Sequence, residues 1–379
     1  MKEGWEYKKL GEVVYYPTER IPSTNIDGSN YVGVDNLIKD RGGKETATII
    51  PSEGNCIKYR AGDVLIGNIR PYLKKIWLAD NNGGASGDVL VLRAKDEHSI
   101  FSDYLYWCLS NDSFFEFDML HSKGAKMPRG SKVDIMKYVI PIPSISQQKQ
   151  ISSELNSLNG IIKKTKAQLE ELDKLAQSIF YDMFEGKEWD KKLIRNIAIV
   201  KIGPFGSALH KHDYISGGTP LVNPIHMVNG KIIADNDFTI DDNKKRELSA
   251  YLLKKNDIVF GRRGDIGRCA LVTKKEDGYI CGTGSLFVRF NIDINPIYSL
   301  LQLSSIETKN YLMDNARGAT MLNLNSGVVE GITISLPPLS LQQEFASKIE
   351  AIESMEAKVR QSLTEAETLF NSRMDYYFN

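Results

Sequence analysis

The sequence predicts a mixed α/β (α+β) protein: two similar globular domains separated by a long antiparallel two-helix coiled coil, the halves related by a pseudo-twofold axis. Three observations predict it. Two stretches nearly 200 residues apart carry apolar residues at heptad spacing, the segments preceding them repeat one another, and short β-branched runs inside each half alternate with glycine-rich turns.

The first heptad stretch runs from Ser146 to Phe184. Its seam is Ile151, Leu155, Leu158, Ile162, Leu169, Leu172, Ile179 and Met183, with Thr165 and Ala176 filling the two remaining positions. A helix of that length reaches about 58 Å, which exceeds the width of a small domain, so it needs a long partner. The partner is 342–378, with a seam of Phe345, Ile349, Ile352, Val359, Leu363, Ala366, Phe370 and Tyr377, interrupted by Glu356 and Arg373. Ser144 with Gln147, and Ser340 with Gln343, read as capping boxes behind proline pairs. Gly186 reads as a left-handed stop for the first helix.

The repeats place the domains. Trp5 to Leu10 is echoed by Trp189 to Leu193, Arg60 to Gly67 by Lys254 to Gly261, Asp88 to Arg93 by Ser285 to Arg289, and Lys123 to Met127 by Arg317 to Met321. We therefore expect a first domain over 1–143, a spacer helix over 144–186, a second domain over 187–338 and a second spacer helix over 339–379. The runs 31–34, 64–68, 76–79 and 89–93 read as strands, and 100–109 and 296–304 as helices. The first helix hands the chain to domain two and the second returns it toward domain one, so the paired helices run antiparallel.

Hydrophobic content of 42% and charged content of 25% are those of an ordinary globular protein. No apolar run is long enough to span a membrane, and the first residues lack the apolar core of a signal peptide; a cytoplasmic location is expected. Cys56, Cys108, Cys269 and Cys281 form no C-x-x-C pair and read as buried thiols in a reducing compartment. Net charge is zero, with 19 basic and 19 acidic residues in 1–145 and 19 and 16 in 188–340. A nucleic-acid face must then come from local sorting of charge, and affinity for DNA by the chain alone is expected to be weak.

Neither a phosphate-binding loop nor a dinucleotide fingerprint occurs, and Asp182, Glu185 and Lys187 at a helix end lack the second acid of a nuclease site. His210 and His212 lack a third ligand at metal spacing and read as part of a polar loop. No catalytic residue and no metal ligand is assigned. Recognition chemistry remains. The 122–133 loop holds Lys123, Lys126, Arg129 and Lys132 without an acidic neighbour, which suits phosphate contact; a solvated surface loop is the competing reading. The 68–75 segment presents Asn68, Arg70, Tyr72, Lys74 and Lys75, where Asn suits adenine and Arg guanine, or else forms a charged hairpin tip. Its counterpart sets Arg262, Arg263 and Arg268 among three glycines, a composition that lets planar guanidinium forks approach a ligand closely. Ser207, His210, Lys211, Asn223, His226, Thr283, Arg317 and Thr320 complete the candidate contacts.

Taken in order, these features resemble the specificity subunit of type I restriction–modification systems. The tandem halves, the proline-then-Gln-Gln helix starts, Gly4-Trp5 with Lys9 to Glu12, the 203–224 segment and the phrase 257–268 with Gly282 to Gly284 carry the resemblance. It implies two target-recognition domains, each reading one half of a bipartite, asymmetric site in double-stranded DNA, with the helix pair setting the gap and docking two modification (methyltransferase) subunits. Leu155, Leu158, Ile162, Leu169, Leu172, Ile349, Ile352, Val359, Leu363 and Phe370 are the expected spacer and docking residues. It further implies a chain that is not itself an enzyme and binds no cofactor: S-adenosylmethionine, ATP and Mg would belong to partner subunits, including restriction subunits where present. A coiled-coil scaffold that binds only proteins, a self-sufficient nuclease or methyltransferase, and a methylation-only system stay open as alternatives.

Overall fold

The computed structural model describes residues 2, 4–205, 208–316 and 323–379. It contains two compact units, Met1–Gln168 with Val359–Asn379 (unit 1) and Leu169–Lys358 (unit 2). Each unit therefore takes in one end of each long helix.

In unit 1 a central antiparallel sheet runs in the order Val14–Tyr15, Val89–Ala94, Val64–Gly67, Ile76–Leu78. A second sheet orders Arg20–Pro22, Asn55–Tyr59, Gly83–Ala85 and Tyr31–Val32, the last pair parallel. Successive residues of a strand point to opposite faces. Val64 and Ile66 accordingly pack with Leu90, Leu92, Tyr104 and Phe114 under helices Ser102–Ser110 and Asp112–Leu120, while Leu65 packs with Val32, Tyr59, Trp77 and Val91 on the other side. Burial on both faces explains why the strand reads as an unbroken apolar run.

Unit 2 repeats the plan. Its central sheet orders Ala198–Ile202, Ser285–Phe290, Ile258–Gly261 and Cys269–Leu271, all antiparallel. Ile258, Phe260, Leu286 and Val288 face one core and Val259 and Phe287 the other. Helices Pro296–Leu303 and Ile306–Asn315 cover it.

Both units use the same pins. Asp63 is buried, accepts from the Arg60 amide at 2.8 Å and grips Arg93 through Nε and Nη2, both at 2.8 Å. Asp257, equally buried, accepts from the Lys254 amide at 2.7 Å and grips Arg289 at 2.8 and 2.6 Å. Tyr104 donates to the Pro141 carbonyl and Tyr298 to that of Ser335. One glutamine of each pair, the second in the first helix and the first in the second, ties its helix to its unit. Buried Gln148 accepts from the Phe101 amide and donates to the carbonyls of Ser99 and Pro143; Gln342 accepts from the Asn295 amide and donates to the Pro337 carbonyl. Gln148→Ala strands these buried groups and is expected to lower stability by about 1–3 kcal/mol, measurable as a fall in Tm.

The long helices are Ile145–Phe184 and Leu339–Phe378. In unit 1 Glu154 meets Tyr377 and Arg373, at 2.6 and 2.8 Å, and Lys166 meets Glu367 at 2.8 Å. Rising numbers on one helix thus face falling numbers on the other, which makes the pair antiparallel. Ile151 and Leu155 pack there with Phe370 and Met374. In unit 2 Leu172, Ala176, Ile179, Met183 and Phe184 share a core with Phe345, Ile349 and Ile352. Ile162 and Leu169 are buried, and Leu158, Val359 and Leu363 half-buried. The capping box forms only at the first helix, where the Ser144 and Gln147 side chains exchange bonds with each other's backbone amides at 3.1 and 3.3 Å. The second helix starts at Leu339, so Ser340 lies inside it, and the place corresponding to Ser144 is taken by Pro338. Gly186 does adopt the left-handed conformation, with φ of 70°. The helices Asp112–Leu120 and Ile306–Asn315 were not expected from the sequence. All four cysteines are buried and unpaired, and burial raises each thiol above its ordinary pKa. No helix among the described residues is long and apolar enough to cross a membrane.

Candidate nucleic-acid interface

In each unit one end of the central sheet gathers loops that are far apart in sequence. In unit 1 the strand Val64–Gly67 runs out into Asn68, whose amide donates to the Asp88 carbonyl and whose carbonyl accepts from the Gly130 amide. The Arg70 amide donates to the Pro128 carbonyl, and Lys123 and Arg129 exchange both backbone bonds at 2.9 Å. The 68–75 and 122–133 segments thus form one surface. The Lys75 ammonium donates to the Val34 carbonyl at 2.6 Å, which brings in the turn 33–36, where the Asn36 carboxamide accepts from the Gly33 amide.

The candidate cations divide. Lys74 is paired with Asp112 at 2.7 Å, Arg129 with Asp88 at 3.1 Å, and Lys75 is committed to the Val34 carbonyl, so all three hold the loops in place. Arg70, Lys123 and Lys126 are exposed and make no ion pair among the described residues; Lys132 is exposed near the Tyr16 ring. Tyr72 is half exposed at the tip. Arg70 and Lys74 hold left-handed conformations at φ of 53° and 50°, sparsely populated for these residue types, so the tip conformation is imposed by its surroundings.

Unit 2 builds the same surface from other side chains. The Arg262 amide donates to the Gly284 carbonyl, and the Arg262 carbonyl accepts from the Leu324 amide. Arg268 Nη1 donates to the Pro224 carbonyl at 3.3 Å, as Lys75 does to Val34, and the Asn223 amide donates to His226 Nδ1 at 3.2 Å, as Gly33 does to Asn36. Asn223 Oδ1 accepts from the Gly284 amide at 3.3 Å, and a Cβ on Gly282 would lie 2.3 Å from it, so the 282–284 turn holding Thr283 needs glycine for close approach. His226 is buried. Arg262 donates through Nε to the Leu324 carbonyl at 2.9 Å and is partly buried, whereas Arg263 is exposed. Burial, with Arg263 beside it, lowers the pKa of Arg262. Exposed Ile225 flanks this surface. His210 and Lys211 are exposed on another turn, where Asp213 accepts from the His210 amide and pairs with Lys244. Ser207, Arg317 and Thr320 lie outside the described residues. The sequence reading missed Asp88, which pairs with Arg129, and exposed Ile225.

The surface offers exposed guanidinium and ammonium groups beside amide side chains on a braced backbone, a donor-rich face for phosphates and base edges. Among the described residues no cluster of three or more His, Cys, Asp or Glu is placed to hold a metal.

Comparison with known proteins points the same way. The family model of the type I restriction modification DNA specificity domain matches twice, over residues 2–173 and 187–365. The chain is similar to the type I restriction enzyme MjaIX specificity subunit of Methanocaldococcus jannaschii, 22% identical over 286 residues that cover 67% of this chain and 62% of that protein. It is also similar to the EcoKI specificity subunit of Escherichia coli strain K12, 23% identical over 310 residues that cover 73% and 65%. The chain thus spans about three-fifths of the length of such curated relatives. Among solved structures, the type I restriction-modification S subunit from M. genitalium superposes with a TM-score of 0.63 over 99% of this chain and 96% of that one, at 14% identity. A chain from a structure of type I restriction-modification complex assembly gives 0.62 over 100% and 98%, at 18% identity. At these identities the superpositions establish a shared fold.

Proposed function

We propose, from the premise that this chain belongs to the type I restriction modification DNA specificity domain family, that it is the DNA-specificity component of a type I restriction–modification complex. Each unit reads one half of a bipartite target through its loop surface, and the two long helices set the spacer between the halves. The observation that carries this reading is the pairing of one frame with two different surfaces: the same two backbone bonds hold Asn68 in unit 1 and Arg262 in unit 2, and the exposed side chains beside them are Arg70 and Tyr72 in the one and Arg263 in the other. Different readers on the same frame make the target asymmetric. The chain carries no catalytic step of its own; methyl transfer from S-adenosylmethionine, and ATP- and Mg-dependent cleavage where it occurs, belong to partner subunits. Exposed Ile161 and Leu369 in unit 1, and Leu175 and Met355 in unit 2, are apolar positions on the long helices that suit the docking of two modification subunits.

Sequencing methylated sites in cells that express the chain with its modification subunit tests this. Two unlike half-sites at a fixed spacing are expected; methylation without sequence preference would overturn the reading. Arg263→Ala is expected to weaken specific binding by about 1–3 kcal/mol and relax one position of one half-site, with an unchanged Tm. Arg262→Ala removes the bond to Leu324 as well and lowers the stability of unit 2 by about 1 kcal/mol.

A further inference from the structure

Two side-chain acceptors in unit 1, Asp118 and Asn68, have no acceptor at the matching places of unit 2. Asp118 on helix Asp112–Leu120 is 0% exposed, and neither of its carboxylate oxygens has a hydrogen-bond partner among the described residues. Asn68 is 8% exposed, and its Oδ1 is likewise buried and unpartnered. Both press on Gly130: a Cβ there would lie 2.3 Å from Asp118 Oδ1 and 2.8 Å from Asn68 Oδ1. In unit 2 the matching positions hold Arg262, Leu312 and Leu324. Leu324 bonds the Arg262 carbonyl as Gly130 bonds that of Asn68, and Leu312 takes the same place in its helix as Asp118. Both leucines are fully buried in the core.

A buried carboxylate needs a hydrogen-bond donor. Burial pushes the Asp118 pKa up to about 6, with His121 nearby acting in the opposite direction and Tyr16 also facing it; the ionised carboxylate is an acceptor only and demands a donor. The polar side chain sharing the Gly130 surface is Asn68. A half-turn of its carboxamide exchanges oxygen and nitrogen with almost no change of shape. We propose that Asp118 is a positioning residue that draws Nδ2 of Asn68 inward and so turns Oδ1 outward, where it accepts from an exocyclic amine on a base edge, N6 of adenine or N4 of cytosine. This rests on the loop surfaces being base readers. It makes unit 1 a selector of amine-bearing bases at one position, a role Arg262 cannot share because a guanidinium has no acceptor.

The test is methylated-site sequencing of the chain co-expressed with its modification subunit, for the wild type, Asp118→Asn and Asn68→Ala. In the wild type the base concerned lies in the half-site that does not respond to Arg263→Ala, and the map shows whether its pair is A·T or G·C. In Asp118→Asn, where the new amide accepts either orientation of Asn68, preference at that base falls about ten-fold or more, and the other half-site is unchanged. Asn68→Ala, at the rim of the core, relaxes the same base and identifies it, and Asp118→Leu, the residue unit 2 holds at that place, gives the same loss of preference should Asp118→Asn not fold. Intact preferences in both half-sites, or a uniform loss of methylation with preferences kept, overturns the proposal. Sequence-independent methylation by the wild type would instead overturn the reading on which it rests.

Discussion

Asp257→Ala is expected to destabilise unit 2 by about 3–5 kcal/mol, the range found when one partner of a buried ion pair is removed. The carboxylate is buried, compensated by Arg289 on a neighbouring strand and by the Lys254 amide in the turn before its own strand. Removing it leaves the Arg289 guanidinium, which also bonds the Leu252 carbonyl, without its counter-charge. Asp257→Asn keeps an acceptor for the Lys254 amide and should lose less. Because a chain of two units need not unfold in one step, hydrogen exchange is the suitable measurement. Protection should collapse in the strand Ile258–Gly261 and persist in Val64–Gly67, and Asp63→Ala should give the reverse pattern. Equal loss in both units would show that the pin does not act locally.

The second large effect concerns the spacer. Inserting four residues after Gln168 and four after Lys358 lengthens both long helices by about 6 Å. At about 3.4 Å per base pair, the gap between half-sites should grow by about two base pairs while both half-sites keep their sequence. The insertion turns each helix about 40° beyond a full turn, so the seam is disturbed least when both helices change together. Methylated-site sequencing gives the answer directly. An unchanged spacer would mean that the helices do not set it.

The sequence made some of this legible and hid the rest. The heptad seam was readable because period and burial are the same fact: Leu155, Ile162, Phe345 and Ile352 are buried where the four-three spacing puts them. The repeat was readable because equal frames need equal pins, and Asp63 and Arg93 lay inside the echoed segments. Their pairing was hidden, since nothing local tells Asp63 which arginine will cross the sheet to it. The second capping box misled because Ser340 stands two residues beyond the place that Ser144 holds at the first helix. Within the candidate surface, composition singled out basic residues without regard to their partners. Lys74, Lys75 and Arg129 proved to be braces, and only the folded chain separates these from Arg70, Lys126 and Arg263, which face outward.

Unit 1 is discontinuous, since residues 359–379 complete it after the whole of unit 2 has intervened. Phe370, Met374, Tyr377 and Phe378 pack into its core, and Tyr377 and Arg373 hold Glu154. On the ribosome, the portion made first must wait for that late segment, leaving Leu155 and Trp107 without cover through most of translation. Truncation just after Lys358 would therefore damage the earliest-made half and spare the later one.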